Sequence, residues 1–192
     1  SIIPTIAGAA DRCLIPEHPY NEDHLTQLMT EDRNSNPSKY AVLLVSEGAT
    51  KDSQSEMTFE GDEVDMFGHK KLKGIGDVVA NDLKEHSAKY NNGRPIRVVN
   101  QRLSYLTRCG EPDALDSIVP MAFGNIALDL ILLNKSGRLI SLRNGIYDHV
   151  PLDMIMDRKK IIDVTKHYDV ERYRPTYDSF IKQPMFIMTS DD

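Results

Sequence analysis

The stretch RLSYLTRCGEPDALD, Arg102 to Asp116, sets two arginines and a tyrosine ahead of a Gly-containing turn and a helix start. Tyr105 and Arg108 stand three residues apart, and Gly110 follows before the acidic residues Asp113 and Asp116. A guanidinium offers a planar fork of donors, a phenol adds a hydroxyl, and the first amides of a helix have no partner within it. Together they suit an oxyanion, above all a phosphate. Glu47, in Val-Ser-Glu-Gly at the end of an apolar run, complements them, because an ionised carboxylate only accepts and so suits sugar hydroxyls. Plainer roles compete: Arg108 as the partner of Asp113 or Asp116, Glu47 as a solvated strand end, Tyr105 as half-buried packing.

Little else in the chain offers chemistry. GHKKLKGIG has a Gly-x-Gly but not the Gly-x4-Gly-Lys-Ser/Thr spacing of a phosphate loop, so its lysines read as a solvated loop. The six histidines show no ligand spacing, and no metal site is expected from them. Cys13 and Cys109 are the two cysteines, which supports neither a disulfide framework nor a zinc site; both are expected to be reduced thiols.

Composition bounds the partners. The net charge of −6 with scattered basic residues leaves no electrostatic footprint for nucleic acid or an anionic membrane surface. No run is read as approaching the roughly 18 apolar residues of a spanning helix, and no signal-peptide pattern opens the chain. A cytoplasmic protein is expected. With 192 residues, 40% of them hydrophobic, one or two modest domains can hold a core. Ser1 stands inside an apolar pattern, as expected of a piece of a longer chain or of a processed terminus.

The elements that must position these residues alternate. RCLIPE reads as a short strand, and NEDHLTQLMTEDR as a helix capped by Asn21 with acids in its first turn. KYAVLLVSEG is a near-continuous aliphatic run, the pattern of a central strand covered on both faces of a parallel sheet. Residues 50–68 are polar and aperiodic and read as a surface excursion. Ile75, Val78, Val79 and Leu83 then recur at helical spacing, RPIRVVNQRLSYLTRCG reads as a strand running into the arginine junction, and EPDALDSIVPMAFGNIALDLILLNKSG as the longest helix. Pro112 is placed at an early helical position and Pro120 is expected to bend that helix. GRLISLRNGIYDHVPLDMI, with its Asn-Gly, reads as a hairpin. The predicted order is β-α-β-α-β-α-β, an α/β fold with a three-layer parallel-type sheet and helices on both faces, in which ligands lie beyond the carboxyl ends of the strands. Residues 1–162 are predicted as the α/β domain and 163–192 as a C-terminal surface extension.

IAGAADRCLIPE, YAVLLVSEG, DMFGHKKLKGIG, SYLTRCGEPDALD and RLISLRNGIYDHVPLDMI together resemble, in order and spacing, the later half of the phosphofructokinases, ATP- and pyrophosphate-dependent, over roughly residues 6–155. The resemblance implies the fructose 6-phosphate-binding segment of a 6-phosphofructokinase, a glycolytic phosphotransferase. It implies that Glu47 contacts the sugar, that Arg108 contacts the 6-phosphate and that Tyr105 stands where the family has histidine or tyrosine. A further arginine, reaching the phosphate of a neighbouring subunit, matches Arg97 or else Arg102. The family's donor-binding Gly-rich segment, Thr-x-Asp-x-Asp and Met-Gly-Arg motifs lie upstream of the matched region. Catalytic residues, the site for ATP or pyrophosphate and the ligands of Mg2+ are therefore expected outside this chain, which alone is expected to be inactive. A homo-oligomer, dimer or tetramer, is implied, while NPSKY keeps little of the basic pattern that binds allosteric effectors in the bacterial ATP enzymes. Two other functions stay open: a non-catalytic regulatory or pseudoenzyme subunit binding a phosphorylated metabolite, and a scaffold-only oligomerisation domain using the apolar helix 112–135.

Overall fold

Asn21 starts the first long helix by accepting a hydrogen bond from the His24 amide at 3.0 Å, and Glu22 and Asp23 lie at the positive end of its dipole. The computed structural model describes residues 1–52, 59–64, 70–72, 74–143, 145–155 and 161–176, with the side chains of 59–64, 70–72 and 108 outside that description. In chain order the elements are α1 (Ile2–Ala7), β1 (Arg12–Leu14), α2 (Glu22–Ser35), β2 (Leu43–Val45), β3 (Phe59–Val64), β4 (Lys70–Leu72) and α3 (Ile75–His86). They continue with a 3-10 turn Ser104–Arg108, α4 (Ala114–Leu132), β5 (Arg138–Arg143), β6 (Ile146–Pro151), α5 (Val164–His167), β7 (Tyr168–Asp169) and β8 (Arg174–Pro175). The chain forms two compact units, one of Ser1–Arg102 with Asp163–Asp178 and one of Leu103–Ile162 with Ser179–Asp192.

In the first unit β1 and β2 run parallel, Cys13 opposite Leu44 and Leu14 opposite Val45. Cys13, Leu14 and Ile15 are buried with Leu25 and Met29 of α2 and with Val79 and Leu83 of α3. The other side of β1 is met by the C-terminal segment, where the Cys13 amide donates to the Tyr173 carbonyl at 2.8 Å and the Tyr168 hydroxyl to the Cys13 carbonyl at 2.6 Å. Tyr168 and Tyr173 are both buried, so residues 163–176 of the predicted extension contribute to this core, while 177–192 lie outside the described residues. Arg12, 5% exposed, holds Asp32 by two bonds of 2.6 and 2.9 Å, and Arg174 reaches the same carboxylate at 3.1 Å.

Several expectations are corrected here. The apolar run 39–48 yields a strand only at Leu43–Val45, because Asn36 caps α2 and Lys39 turns at φ +57° before the chain can extend. Among the described residues β2 pairs with β1 alone, so it is not central. The predicted strand at 94–103 does not form. Pro95 has no amide to donate, the Ile96 amide is taken by the Ser87 hydroxyl at 3.0 Å, and a cleft of about 390 Å³ lies between residues 96–100 and β2. Within the stretch 50–68, read as aperiodic, β3 forms and pairs antiparallel with β4 just beyond it.

The second unit holds α4 and the hairpin. Asp113 caps α4, accepting from the Asp116 amide at 2.9 Å while Asp116 reaches back to the Asp113 amide at 3.4 Å, a reciprocal capping box. Helix α4 thus begins after Pro112, which precedes the cap instead of occupying the first turn, and Pro120 lies inside the helix. β5 and β6 pair from Arg138–Pro151 to Arg143–Ile146, and Gly145 at φ +78° supplies the left-handed turn residue; Asn144 lies outside the described residues. Phe123 of α4 meets Tyr147 of β6 edge-on at 6.1 Å. By length and composition α4 is apolar enough to cross a membrane, which corrects the reading that no run approaches that limit, since Gly124, Asn125 and Asp129 interrupt the pattern without lowering its average enough. Ile118, Leu128, Ile131 and Leu132 are exposed on it.

Two outcomes follow from these contacts. Asp32→Ala leaves the buried Arg12 unpaired and is expected to lower unfolding stability by about 3–5 kcal/mol, read from urea denaturation of both proteins. The exposed apolar side chains of α4 are expected to drive self-association. Sedimentation should show association that Leu128→Glu with Ile131→Glu removes, and a dilution-resistant wild-type monomer would contradict it.

Candidate functional site: strand-end turn and arginine segment

Glu47 is carried by a turn at the carboxyl end of β2. The Ser46 amide donates to the Leu14 carbonyl at 3.1 Å, continuing the parallel ladder, and the Ala49 amide closes the turn on the Ser46 carbonyl at 3.0 Å. A Cβ at Gly48 would lie 3.2 Å from Pro16 Cγ, so glycine lets the turn lie against the Ile15-Pro16-Glu17 exit of β1. Ala49 is buried beneath it and Glu47 is exposed. The Ser1 hydroxyl lies 3.0 Å from that of Ser46. Both strand ends point the same way, as the parallel pairing requires, and they present Glu47 at the sheet end where ligands bind in such sheets.

Residues 94–102, in place of a strand, form an extended arginine-bearing segment. Arg97 is exposed on the cleft beside β2, which half-buried Arg33 and exposed Lys39 also line, and among the described residues no carboxylate lines it. Arg102 is placed differently, in an ion pair with Asp77 in the first turn of α3. Asn100 Nδ2 donates to the other oxygen of Asp77 at 2.6 Å. A Cβ on Gly74 would fall 2.6 Å from the Arg102 guanidinium, and one on Gly76 would fall 2.9 Å from Asn100 Oδ1. The Gly-x-Gly of KGIG therefore serves close approach of residues 100–102 to the start of α3. Lys70 and Lys71 have side chains outside the described residues, as does Lys73 altogether.

In the second unit Tyr105 sits in the Ser104–Arg108 turn with 75% of its surface exposed, and its carbonyl accepts from Cys109 Sγ at 3.0 Å. Arg108 closes the turn; its side chain lies outside the described residues. Among the described residues nothing lies within 4 Å of where a Cβ on Gly110 would stand. The amino terminus of α4, expected to offer free amides to an anion, has its Asp116 amide taken by Asp113 and two carboxylates at its positive end. That end is thereby less suited to a phosphate. Of the five residues singled out in the sequence, Glu47, Arg97 and Arg102 belong to the first unit and Tyr105 and Arg108 to the second.

Sequence reasoning passed over a charged group beneath the Glu47 turn. Lys51 Nζ lies 3.1 Å from Asp82 Oδ1 and 3.4 Å from Glu22 Oε1, and the buried Tyr20 hydroxyl donates to Asp82 Oδ2 at 2.9 Å. Burial pushes the Tyr20 hydroxyl pKa up, with the Asp82 charge acting in the same direction. Burial acts against the Lys51 ammonium, yet the Asp82 and Glu22 carboxylates outweigh it and hold its pKa above the ordinary value. A signal was present: Asp82 falls on the helical stripe of Val78, Val79 and Leu83, where a carboxylate demands a partner. Among the described residues no three His, Cys, Asp or Glu side chains gather as metal ligands.

Compared with known proteins, residues 2–131 match the family described as phosphofructokinase. The chain is 31% identical over 172 residues to the pyrophosphate–fructose 6-phosphate 1-phosphotransferase of Dictyoglomus thermophilum, an overlap covering 88% of this chain and 46% of that protein. It is 33% identical over 146 residues to ATP-dependent 6-phosphofructokinase 2 of Streptomyces coelicolor, covering 76% and 40% respectively. The chain thus spans less than half the length of these relatives.

The Asp77 link generates a pH outcome. Hydrogen bonds from Arg102 and then Asn100 hold the Asp77 carboxyl below its ordinary pKa. Its contribution is therefore present above the unfolded value of about 3.9 and is lost as pH falls through the lower folded value. Carbon-13 NMR titration should place Asp77 below that reference, and Arg102→Ala should move it back up.

Proposed function

This chain belongs to the phosphofructokinase family, and from that premise we propose that it is the fructose 6-phosphate-binding part of a 6-phosphofructokinase. The enzyme it completes transfers a phosphoryl group from ATP or pyrophosphate to the 1-hydroxyl of fructose 6-phosphate. The observation that carries the reading is that the family match over residues 2–131 contains Glu47, Arg97, Arg102, Tyr105 and Arg108. Glu47 accepts from the sugar hydroxyls, while Arg108 and Tyr105 take the 6-phosphate. Of the two candidates for the further arginine, Arg97 is the better suited, because Arg102 is engaged by Asp77 whereas Arg97 faces a cleft that no carboxylate lines among the described residues.

The donor site, the magnesium ligands and the base that orients the attacking hydroxyl belong to the remainder of the polypeptide, to which this reading assigns turnover. In the complete enzyme the three-layer sheet is formed with that remainder, and the assembly is a cytoplasmic homo-oligomer, dimer or tetramer. The exposed apolar face of α4 supports a subunit or domain contact within that assembly.

Arg108→Ala in the complete enzyme is expected to weaken fructose 6-phosphate binding by about 2–5 kcal/mol, since truncation leaves the phosphate partly unpaired. Arg108→Lys should recover only part, because an ammonium lacks the two-pronged contact. Calorimetric titration with fructose 6-phosphate and, separately, with the donor measures both. Equal binding by wild type and Arg108→Ala would remove Arg108 from the site.

A further inference from the structure

The turn that carries Glu47 is short and exposed, yet the chain that leaves it is tightly held. Residues 50–52 run beside Tyr20: the Tyr20 amide donates to the Thr50 carbonyl at 2.9 Å and the Asp52 amide to the Tyr20 carbonyl at 2.9 Å. Between those two bonds Lys51 turns inward, its side chain only 15% exposed. It lies against Asp82 of α3, itself 12% exposed, and against Glu22 at the start of α2. The second oxygen of Asp82 accepts from Tyr20, so one carboxylate grips both members of the Tyr20–Lys51 bridge. A surface ion pair contributes little, but here both charges are largely withdrawn from water, so loss of either leaves the other poorly solvated.

We propose that Asp82 is a positioning residue for sugar recognition: through Lys51 and Tyr20 it fixes the exit of the Glu47 turn and so presents the Glu47 carboxylate in one place, without touching the sugar itself. The proposal rests on the reading of Glu47 as the acceptor of the sugar hydroxyls. Three helices and strands meet at the brace, β2 through its exit, α2 through Glu22 and α3 through Asp82, whereas Glu47 is bonded to none of them among the contacts described. Three residues, Gly48, Ala49 and Thr50, separate Glu47 from Lys51, and the first two are seated on Pro16 and in the core. With only this short packed path between them, a displacement at Lys51 is carried through Ala49 and Gly48 to the turn. An exposed acceptor that samples many positions loses affinity to the entropy of ordering it on each binding event.

The test uses amide exchange and affinity together. In Asp82→Asn of this chain, the Ala49 and Asp52 amides, which close the turn and pair with Tyr20, should exchange about tenfold faster while the Leu25 amide of α2 keeps its protection. In the complete enzyme the same substitution should raise KM for fructose 6-phosphate about tenfold, with KM for the donor unchanged and kcat little altered, the pattern of lost substrate binding. Lys51→Arg, which keeps a cation between the two carboxylates, should stay near wild type in both. Unchanged exchange at Ala49 and Asp52, or a fall in Leu25 protection equal to theirs, would overturn the brace, the second because the effect would be on the whole fold. Glu47→Gln separates the two readings. If it raises KM for fructose 6-phosphate and Asp82→Asn does not, Asp82 has no positioning role although Glu47 binds sugar. If Glu47→Gln changes nothing, the Glu47 reading falls and the positioning role falls with it.

Discussion

The bidentate hold of Arg12 on Asp32 is the constraint from which the first unit is built. Two nearly buried charges can be kept from water only when their hydrogen bonds are met, and these are met by β1, α2 and the returning C-terminal segment at once. β1 cannot shift along its axis without breaking that pair. Its parallel register with β2 is consequently set, and with it the place where β2 ends and the Glu47 turn begins.

Beyond that anchor, the unit spends its polar groups on holding chain exits, not on building more sheet. Lys51, Asp82 and Tyr20 hold the segment that leaves β2, and Asp77 with Asn100 and Arg102 hold the segment that leads toward Ser104. The first of these is withdrawn from solvent and the second is on the surface, so they differ in strength: screening and side-chain entropy leave the Asp77 pair the weaker. The edge of β2 left unpaired among the described residues, with the cleft beside it, is the counterpart of this choice, since residues 96–100 are drawn to Ser87 and to α3 and not into a ladder.

The second unit solves a different problem. Helix α4 is apolar on more than one face, and its hairpin covers only part of it, with Phe123 against Tyr147. Its start is specified by the Asp113–Asp116 capping box, which satisfies two amides that the helix itself leaves without partners. The chain spans less than half the length of the relatives it matches, and Ile118, Leu128, Ile131 and Leu132 of this helix are exposed.

Much of this was legible in the residues themselves, where the cause was local. Asn21 with Glu22 and Asp23 marks the start of α2, Asp113 with Asp116 marks that of α4, and Gly145 after alternating residues marks a hairpin, because caps and turns are satisfied by neighbours in sequence. The ordered pieces from Ile6 to Ile155 likewise carried the family and the identities of Glu47, Tyr105, Arg97 and Arg108 as candidates. What depended on distant partners was not legible. The apolar pattern of RPIRVVN has the look of a strand, but whether it pairs depends on competing acceptors such as Ser87, and the Gly-x-Gly of KGIG, read as part of a solvated loop, shows its purpose only when Asn100 and Arg102 are seen lying against it. Lys51 and Asp82, 31 residues apart, carry no mutual signal in the sequence; only folding α3 against β2's exit brings their charges within 3.1 Å and gives that buried carboxylate its reason.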